Sequence, residues 1–390
     1  MVAGLGHGGF QSGRGEPWGQ PYIVLSDSEG APDRFSNEHL RCPANAKRTA
    51  MFRYLRCLPI VPLVISAGCG GASTAVEGPA VALLTSGPVS DAGWHAGAYE
   101  GLQMIGDSLG VHISHQQTRT PADFDEAFIS YAESGYELIF GHGFEYQDAA
   151  SRAGEAYPEV TFVVSSGSRP SANVVPIIFG LHEASYLAGM AAGAITRSGI
   201  VGMVGGVEIP SAKGTFIAFE AGVKAMREDA TVLETFIGSW DDVSAAKEAA
   251  AAQLRQGADA MIHNVDAASF GFFQAVREAR EGGRDAWAFG MNRDQNDVAP
   301  DVIAGSAVIN IPQIFLQTAR AWQDGTLEGP LYTGLATGAV DFVPNPEQPR
   351  VIPPMALVQI EEARMLIIEE KIEVPSIDFV EPAAEDPPSA

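Results

Sequence analysis

The sequence predicts an α/β protein built as two doubly wound, Rossmann-like lobes, and three observations predict it. The chain has 390 residues, 46% hydrophobic and 18% charged, a globular composition long enough for two ordinary α/β domains. Apolar, β-rich runs recur roughly every 25–30 residues after Pro79, the spacing expected when each strand is followed by a helix. These runs fall into two successive sets of similar size, with no long linker between them.

The first set comprises residues 81–85, 111–115, 137–140 and 161–164, followed by 174–179. Between them, residues 122–133 place Phe124, Phe128 and Tyr131 on one helical face, the pattern of a helix packed on a core. The second set begins after a small-residue helix at about 183–196 and comprises 200–204, 232–237, 260–265, 286–290 and 304–309. Its helices include 244–255 and 270–280. Open sheets of this kind meet their ligands at the loops that follow the carboxyl ends of the strands. Candidate functional residues are therefore sought there.

The first 50 residues are rich in Gly, Pro and polar types with no apolar period, so they offer no face to bury. They read as a disordered or mis-annotated extension, with Met51 as the expected start. From Met51 the order is two arginines, Arg53 and Arg56, an apolar stretch at 58–67, then Gly68, Cys69 and small residues. That is the arrangement of a signal peptide over 51–68. The apolar stretch is about 10 residues long and contains Pro59 and Pro62, short of the roughly 20 needed to span a bilayer as a helix. Ser66-Ala67-Gly68-Cys69 resembles a bacterial lipobox, so Cys69 is the expected lipidation site, followed by a linker at 69–79. Cys42 and Cys57 precede the expected cleavage point, and the one retained thiol can form neither an internal disulfide nor a zinc site.

The chain carries 48 Asp and Glu against 24 Lys and Arg, a formal net charge of −24. With no basic cluster to neutralise phosphates, nucleic acid is not an expected partner. Enzyme motifs fail at particular positions. Gly141-His142-Gly143 is followed by Tyr146 where a dinucleotide fingerprint needs glycine, and His182-Glu183 by Tyr186 where a zinc helix needs its second histidine. There is no Walker lysine pattern and no G-x-S-x-G elbow. Neither a cofactor, a metal nor a catalytic residue is expected.

Binding features gather elsewhere. After the first strand run, residues 86–102 form a turn-rich loop entering a helix, with Ser86, Asp91, Trp94 and the run Tyr99-Glu100-Gly101-Leu102. Free N–H groups, a carboxylate and aromatic faces thereby meet at one strand end. Phe144 follows the Gly-His-Gly turn; Asn264 and Asp266 follow the run at 260–265; Asn292 and Asp294 follow that at 286–290. Phe216 and Phe219 share a helical face that serves core or cleft equally well. Asp91 has an alternative role as a helix cap, and Trp240 reads more naturally as hinge packing.

Asp91, Trp94 and Tyr99-Glu100-Gly101-Leu102, with further matches at 141–149, 183–193, 201–210, 219–222 and 291–295, give residues 80–375 a resemblance to the basic membrane protein (BMP) family. That family comprises ABC-transporter substrate-binding lipoproteins and includes purine nucleoside receptors. The chain departs from it where Gly93-Trp94-His95 replaces a Ser-Phe-Asn run, where Ser165-Ser166 stands in place of Asp, and where Asn292 replaces Asp. The resemblance implies a type I periplasmic-binding-protein fold, with one lobe from 80–182 plus about 300–328, the other from 183–299 plus about 329–378, and a disordered tail at 379–390. It implies a monomeric, envelope-located receptor that closes on a small polar ligand, such as a nucleoside, and delivers it to an ABC permease. The expected ligand residues, from strand-end position and resemblance together, are Ser86, Asp91, Trp94, Phe144, Phe216, Phe219, Asn264, Asp266, Asn292 and Asp294. A sensor that reports ligand occupancy to a membrane signalling protein would use the same cleft, and a secreted α/β enzyme is the remaining alternative.

Overall fold

Apolar runs that alternate with helices pair in parallel and are covered on both faces, which is why they read as continuous hydrophobic stretches. The computed structural model describes residues 78–381. The expectations for the extension at 1–50, the signal at 51–68, lipidation at Cys69 and most of the linker and tail lie outside the described residues. Among those described, no helix is long and apolar enough to cross a membrane.

The first sheet is formed by β1 (Ala80–Thr85), β2 (His112–Gln117), β3 (Leu138–His142), β4 (Thr161–Ser165), β5 (Val174–Phe179) and β11 (Leu331–Thr333), in the order β11-β5-β4-β3-β1-β2. All its pairings are parallel. The second sheet takes β6 (Ile200–Gly205), β7 (Thr231–Phe236), β8 (Ala260–Asn264), β9 (Trp287–Asn292), β10 (Ile303–Ile309) and β12 (Val340–Pro344), in the order β12-β10-β9-β8-β6-β7. Only β12 runs antiparallel in it. Every strand expected from the sequence is present, with its ends shifted by at most two residues. The short strands β11 and β12 were not expected.

Helices cover both sheets: α1 (Trp94–Leu109), α2 (Pro121–Glu133), α3 (Gln147–Ala156) and α8 (Ile311–Gln323) serve the first. The helices α4 (Leu181–Ile195), α5 (Pro210–Met226), α6 (Val243–Arg255), α7 (Ser269–Glu281) and α9 (Pro354–Ile368) serve the second. One buried cluster is continuous from Leu83 and Phe140 of the first sheet through Phe315 to Phe219, Phe289 and Phe342 of the second. The outer faces have separate clusters, around Phe128 and Phe162 and around Phe272 and Phe273.

The lobe boundaries differ from those expected. Strand β10 hydrogen-bonds to β9 and β12, so residues near 303–309 belong to the second sheet, and the return to the first begins only with α8, which packs on α1. Strand β11 then joins the first sheet beside β5, although 329 onward was expected in the second lobe. Hydrophobic pattern marks a strand but not its partner, because several parallel neighbours bury it equally well. The start of the expected tail is also placed: the Glu381 N–H donates to the Ser168 carbonyl at 2.7 Å.

Candidate functional site

Two such sheets, each presenting strand carboxyl ends, leave a cavity lined from both. Trp94, Phe144, Ser166 and Phe179 reach it from the first lobe, and Thr215, Trp240, Asn264, Asp266 and Asn292 from the second. Thus Trp94, Phe144, Asn264, Asp266 and Asn292, all anticipated from their places after strand runs, come together. Trp240 also lines the cavity instead of serving as hinge packing alone.

The remaining anticipated residues do not line it. Phe216 and Phe219 are fully buried and pack on Phe236 and Phe289 at centroid distances of 5.3 and 6.4 Å, so α5 turns that face to the core. Ser86 is occupied by a hydrogen bond to Glu145. Asp294 is exposed and accepts from the Asn296 N–H at 3.0 Å, closing the turn after β9. Asp91, two residues before the N-cap Gly93, supplies a capping carboxylate: it accepts from the backbone N–H groups of Gly93, His95 and Ala96 at 3.0, 2.8 and 2.9 Å, satisfying orphan donors where the dipole of α1 favours negative charge. Burial pushes the Asp91 carboxyl up, opposed by those three bonds and by Arg293.

What Asp91 organises is the placement of Trp94, the first residue of α1. The indole stacks on His142 at 4.0 Å and meets the edge of Phe179 at 5.6 Å. His142 Nε2 lies 3.0 Å from the Trp94 carbonyl, which can only accept, so Nε2 carries the proton and Nδ1 accepts from Ser165 Oγ at 2.7 Å. Burial holds this imidazole well below its ordinary range, and a neutral ring therefore supports the tryptophan.

From the second lobe, Asn264 Nδ2 donates to Thr215 Oγ1 at 3.0 Å, which leaves the amide oxygen for other partners. Gln295 accepts from the Met291 N–H and from His263 Nε2 at 3.0 and 2.9 Å and donates across to the Ala92 carbonyl at 3.3 Å. It ties the second lobe to the Asp91 loop. Arg293 and Glu100 make a further contact between the lobes at 3.0 Å. Sequence reasoning did not single out Gln295, nor Ser166, Phe179 and Thr215, because their value depends on what the opposite lobe presents.

Asp266 is the ionisable group lining the cavity. Its carboxylate lies 3.5 Å from His95 Nε2, but burial pushes the His95 imidazole down to about 4 and holds Asp266 well above the usual carboxylate range, with Asp91, Asp241 and Glu145 adding repulsion. The neutral forms of both are favoured, so this is a polar contact rather than an ion pair. Asp91, His95 and Asp266 bring ligand-type atoms within 4.8 Å of one another. Both Asp91 oxygens already accept N–H bonds, which makes the set a poor cage for a metal ion.

His263, fully buried behind the cavity, gives a pH dependence of stability. Burial lowers its imidazole from 6.5 to about 4. Below pH 6.5 the unfolded chain binds a proton that the folded chain refuses until about pH 4. The stabilisation is thus complete above pH 6.5 and falls by on the order of 3 kcal/mol across that window. Substituting His263→Gln, which keeps an amide donor for Gln295, should reduce the slope of unfolding free energy against pH there, with His95 and His142 still contributing. A variant that tracks the parent would show that His263 titrates normally.

Comparison with known proteins places this geometry. Residues 79–378 match a family described as ABC transporter substrate-binding protein PnrA-like. The ABC transporter nucleoside-binding protein BmpA of Lactococcus lactis subsp. cremoris is 30% identical over 215 residues, 53% of this chain and 61% of its own. A purine-binding protein of Brucella abortus is 26% identical over 284 residues, 72% of this chain and 79% of its own. The crystal structure of an ABC-transporter solute-binding protein from Aeropyrum pernix superposes with a TM-score of 0.70 at 21% identity, covering 76% of this chain and 93% of that one.

Proposed function

Because the chain belongs to the family of PnrA-like ABC transporter substrate-binding proteins, we propose that it is the lipid-anchored receptor of an ABC importer, binding a nucleoside or a related heterocycle between its lobes. The observation that carries this is the cavity itself. Strand-end residues from both sheets meet there, with aromatic rings for a flat ligand and Asn264, Asn292 and Asp266 for polar groups. Similarity to proteins named for nucleoside and purine binding supports the ligand class. The structural likeness supports the fold. The protein acts as a monomer on the outer face of the membrane, anchored through Cys69, hands its ligand to a permease and performs no chemistry on it.

Mass spectrometry of whatever is released when the purified protein is denatured tests this reading. A small heterocyclic compound at close to one per chain, recovered unaltered after incubation, is the expected result. Conversion of added ligand to a product would make the protein an enzyme instead.

A further inference from the structure

The cavity holds a buried acid, Asp266, that a neutral ligand leaves un-ionised. Among the described residues that line it there is no Lys or Arg, and its ionisable member is Asp266. Asp266 is 7% exposed, and among the described residues no hydrogen-bond donor closer than His95 Nε2, at 3.5 Å, faces its carboxylate. Asp91, Asp241 and Glu145 all lie close enough to oppose its ionisation.

The nearby positive groups are committed elsewhere. Arg293 pairs with Glu100, and Lys213 with Glu208 and Glu234. His95 lies 1% exposed with Nδ1 lacking any partner, and burial keeps it neutral near pH 7. Ionising a buried carboxyl without donors or counter-charge is costly, so Asp266 keeps its proton until a cation supplies the opposite charge.

The same cavity is walled by the aromatic rings of Trp94, Phe144, Phe179 and Trp240. Aromatic faces attract cations, most strongly where water is excluded. A carboxylate within an aromatic enclosure is the chemistry that recognises a protonated or quaternary nitrogen. We propose, resting on the solute-binding reading above, that the ligand is an organic cation whose charged nitrogen lies at Asp266 and whose apolar body lies against Trp94 and Trp240. A bare divalent ion fits less well, since Asp91 is spent on the α1 cap and aromatic walls offer a metal nothing.

The test is calorimetric titration of the full chain, freed of bound ligand, with two matched pairs. These are choline against its uncharged tert-butyl isostere, and an N-methylated adenosine cation against adenosine. The expected result is that the cation of at least one pair binds about tenfold or more tighter than its neutral partner. Substituting Asp266→Asn, which preserves side-chain volume, should abolish that preference while melting curves show the variant folded. Binding in which neither cation is preferred over its neutral partner would overturn the proposal and leave solute binding intact. So would a preference for the cation that survives Asp266→Asn, or manganese or zinc alone binding at Asp266 while neither cation does. Failure of all four compounds overturns it as well, and recovery of a neutral heterocycle from the purified protein would then show that the parent reading stands.

Discussion

Replacing Trp94 by alanine should weaken ligand binding by roughly tenfold to a hundredfold, from the loss of on the order of 1–3 kcal/mol of stacking and apolar burial. The effect is concentrated at this residue because its position is fixed before ligand arrives. Asp91 caps the helix that begins at Trp94, the neutral ring of His142 stacks against the indole, and Phe179 meets it edge-on. Little conformational entropy remains to be lost on binding, so truncation removes contact area that was already organised. The bond from His142 to the Trp94 carbonyl involves the backbone and survives the substitution, which keeps the support beneath the site. Calorimetry with the compound recovered from the native protein reads the change. An affinity within twofold of the parent would remove Trp94 from the ligand site.

The second large effect concerns stability. Substituting Gly222→Ala should cost about 3 kcal/mol or more and lower the melting temperature by about 6–12 °C. Helices α4 and α5 pack closely at glycines. A Cβ on Gly222 would lie 2.0 Å from the Tyr186 carbonyl oxygen, and one on Gly189 would lie 2.1 Å from that of Phe219. Both obstacles are backbone, which cannot rotate aside as a side chain does, so the helices must separate and loosen the core that holds Phe216 and Phe219. In an uncrowded helix the same change would stabilise through helix propensity by about 1 kcal/mol. Thermal unfolding of the unliganded protein therefore distinguishes the two situations by sign. A raised melting temperature would show that α4 and α5 are not in backbone contact.

Particular elements show what was legible in the chain. The strand runs were, because parallel strands buried on both faces are continuous in apolar residues and bounded by turns. That Trp94, Phe144, Asn264, Asp266 and Asn292 line the cavity was legible for a related reason: each follows a strand run, at the end where open sheets form their clefts. Phe216 and Phe219 were not, since the same helical stripe serves a core and a cleft. Asp91 carried two readings that only the fold separates, because a carboxylate serving the helix start and a ligand carboxylate are the same residue in the same loop. The short strands β11 and β12, the second of them bounded by Pro344 and antiparallel to its neighbour, carry too few residues to show a period.

The sequence by itself therefore determined the fold class, the family resemblance and the end of each sheet that lines the cavity, because these follow from local period and from motifs close together in the chain. Tertiary structure alone decided which sheet claims β10 and β11, which aromatic rings face the cavity, and that Asp266 stands there among three other carboxylates, with no Lys or Arg among the described residues that line the cavity. Those facts depend on residues far apart in sequence, Trp94 with His142 and Phe179, Gln295 with Ala92, and Asp266 with Asp91 and Glu145. Burial and charge act through distance in space, and no local pattern encodes that distance.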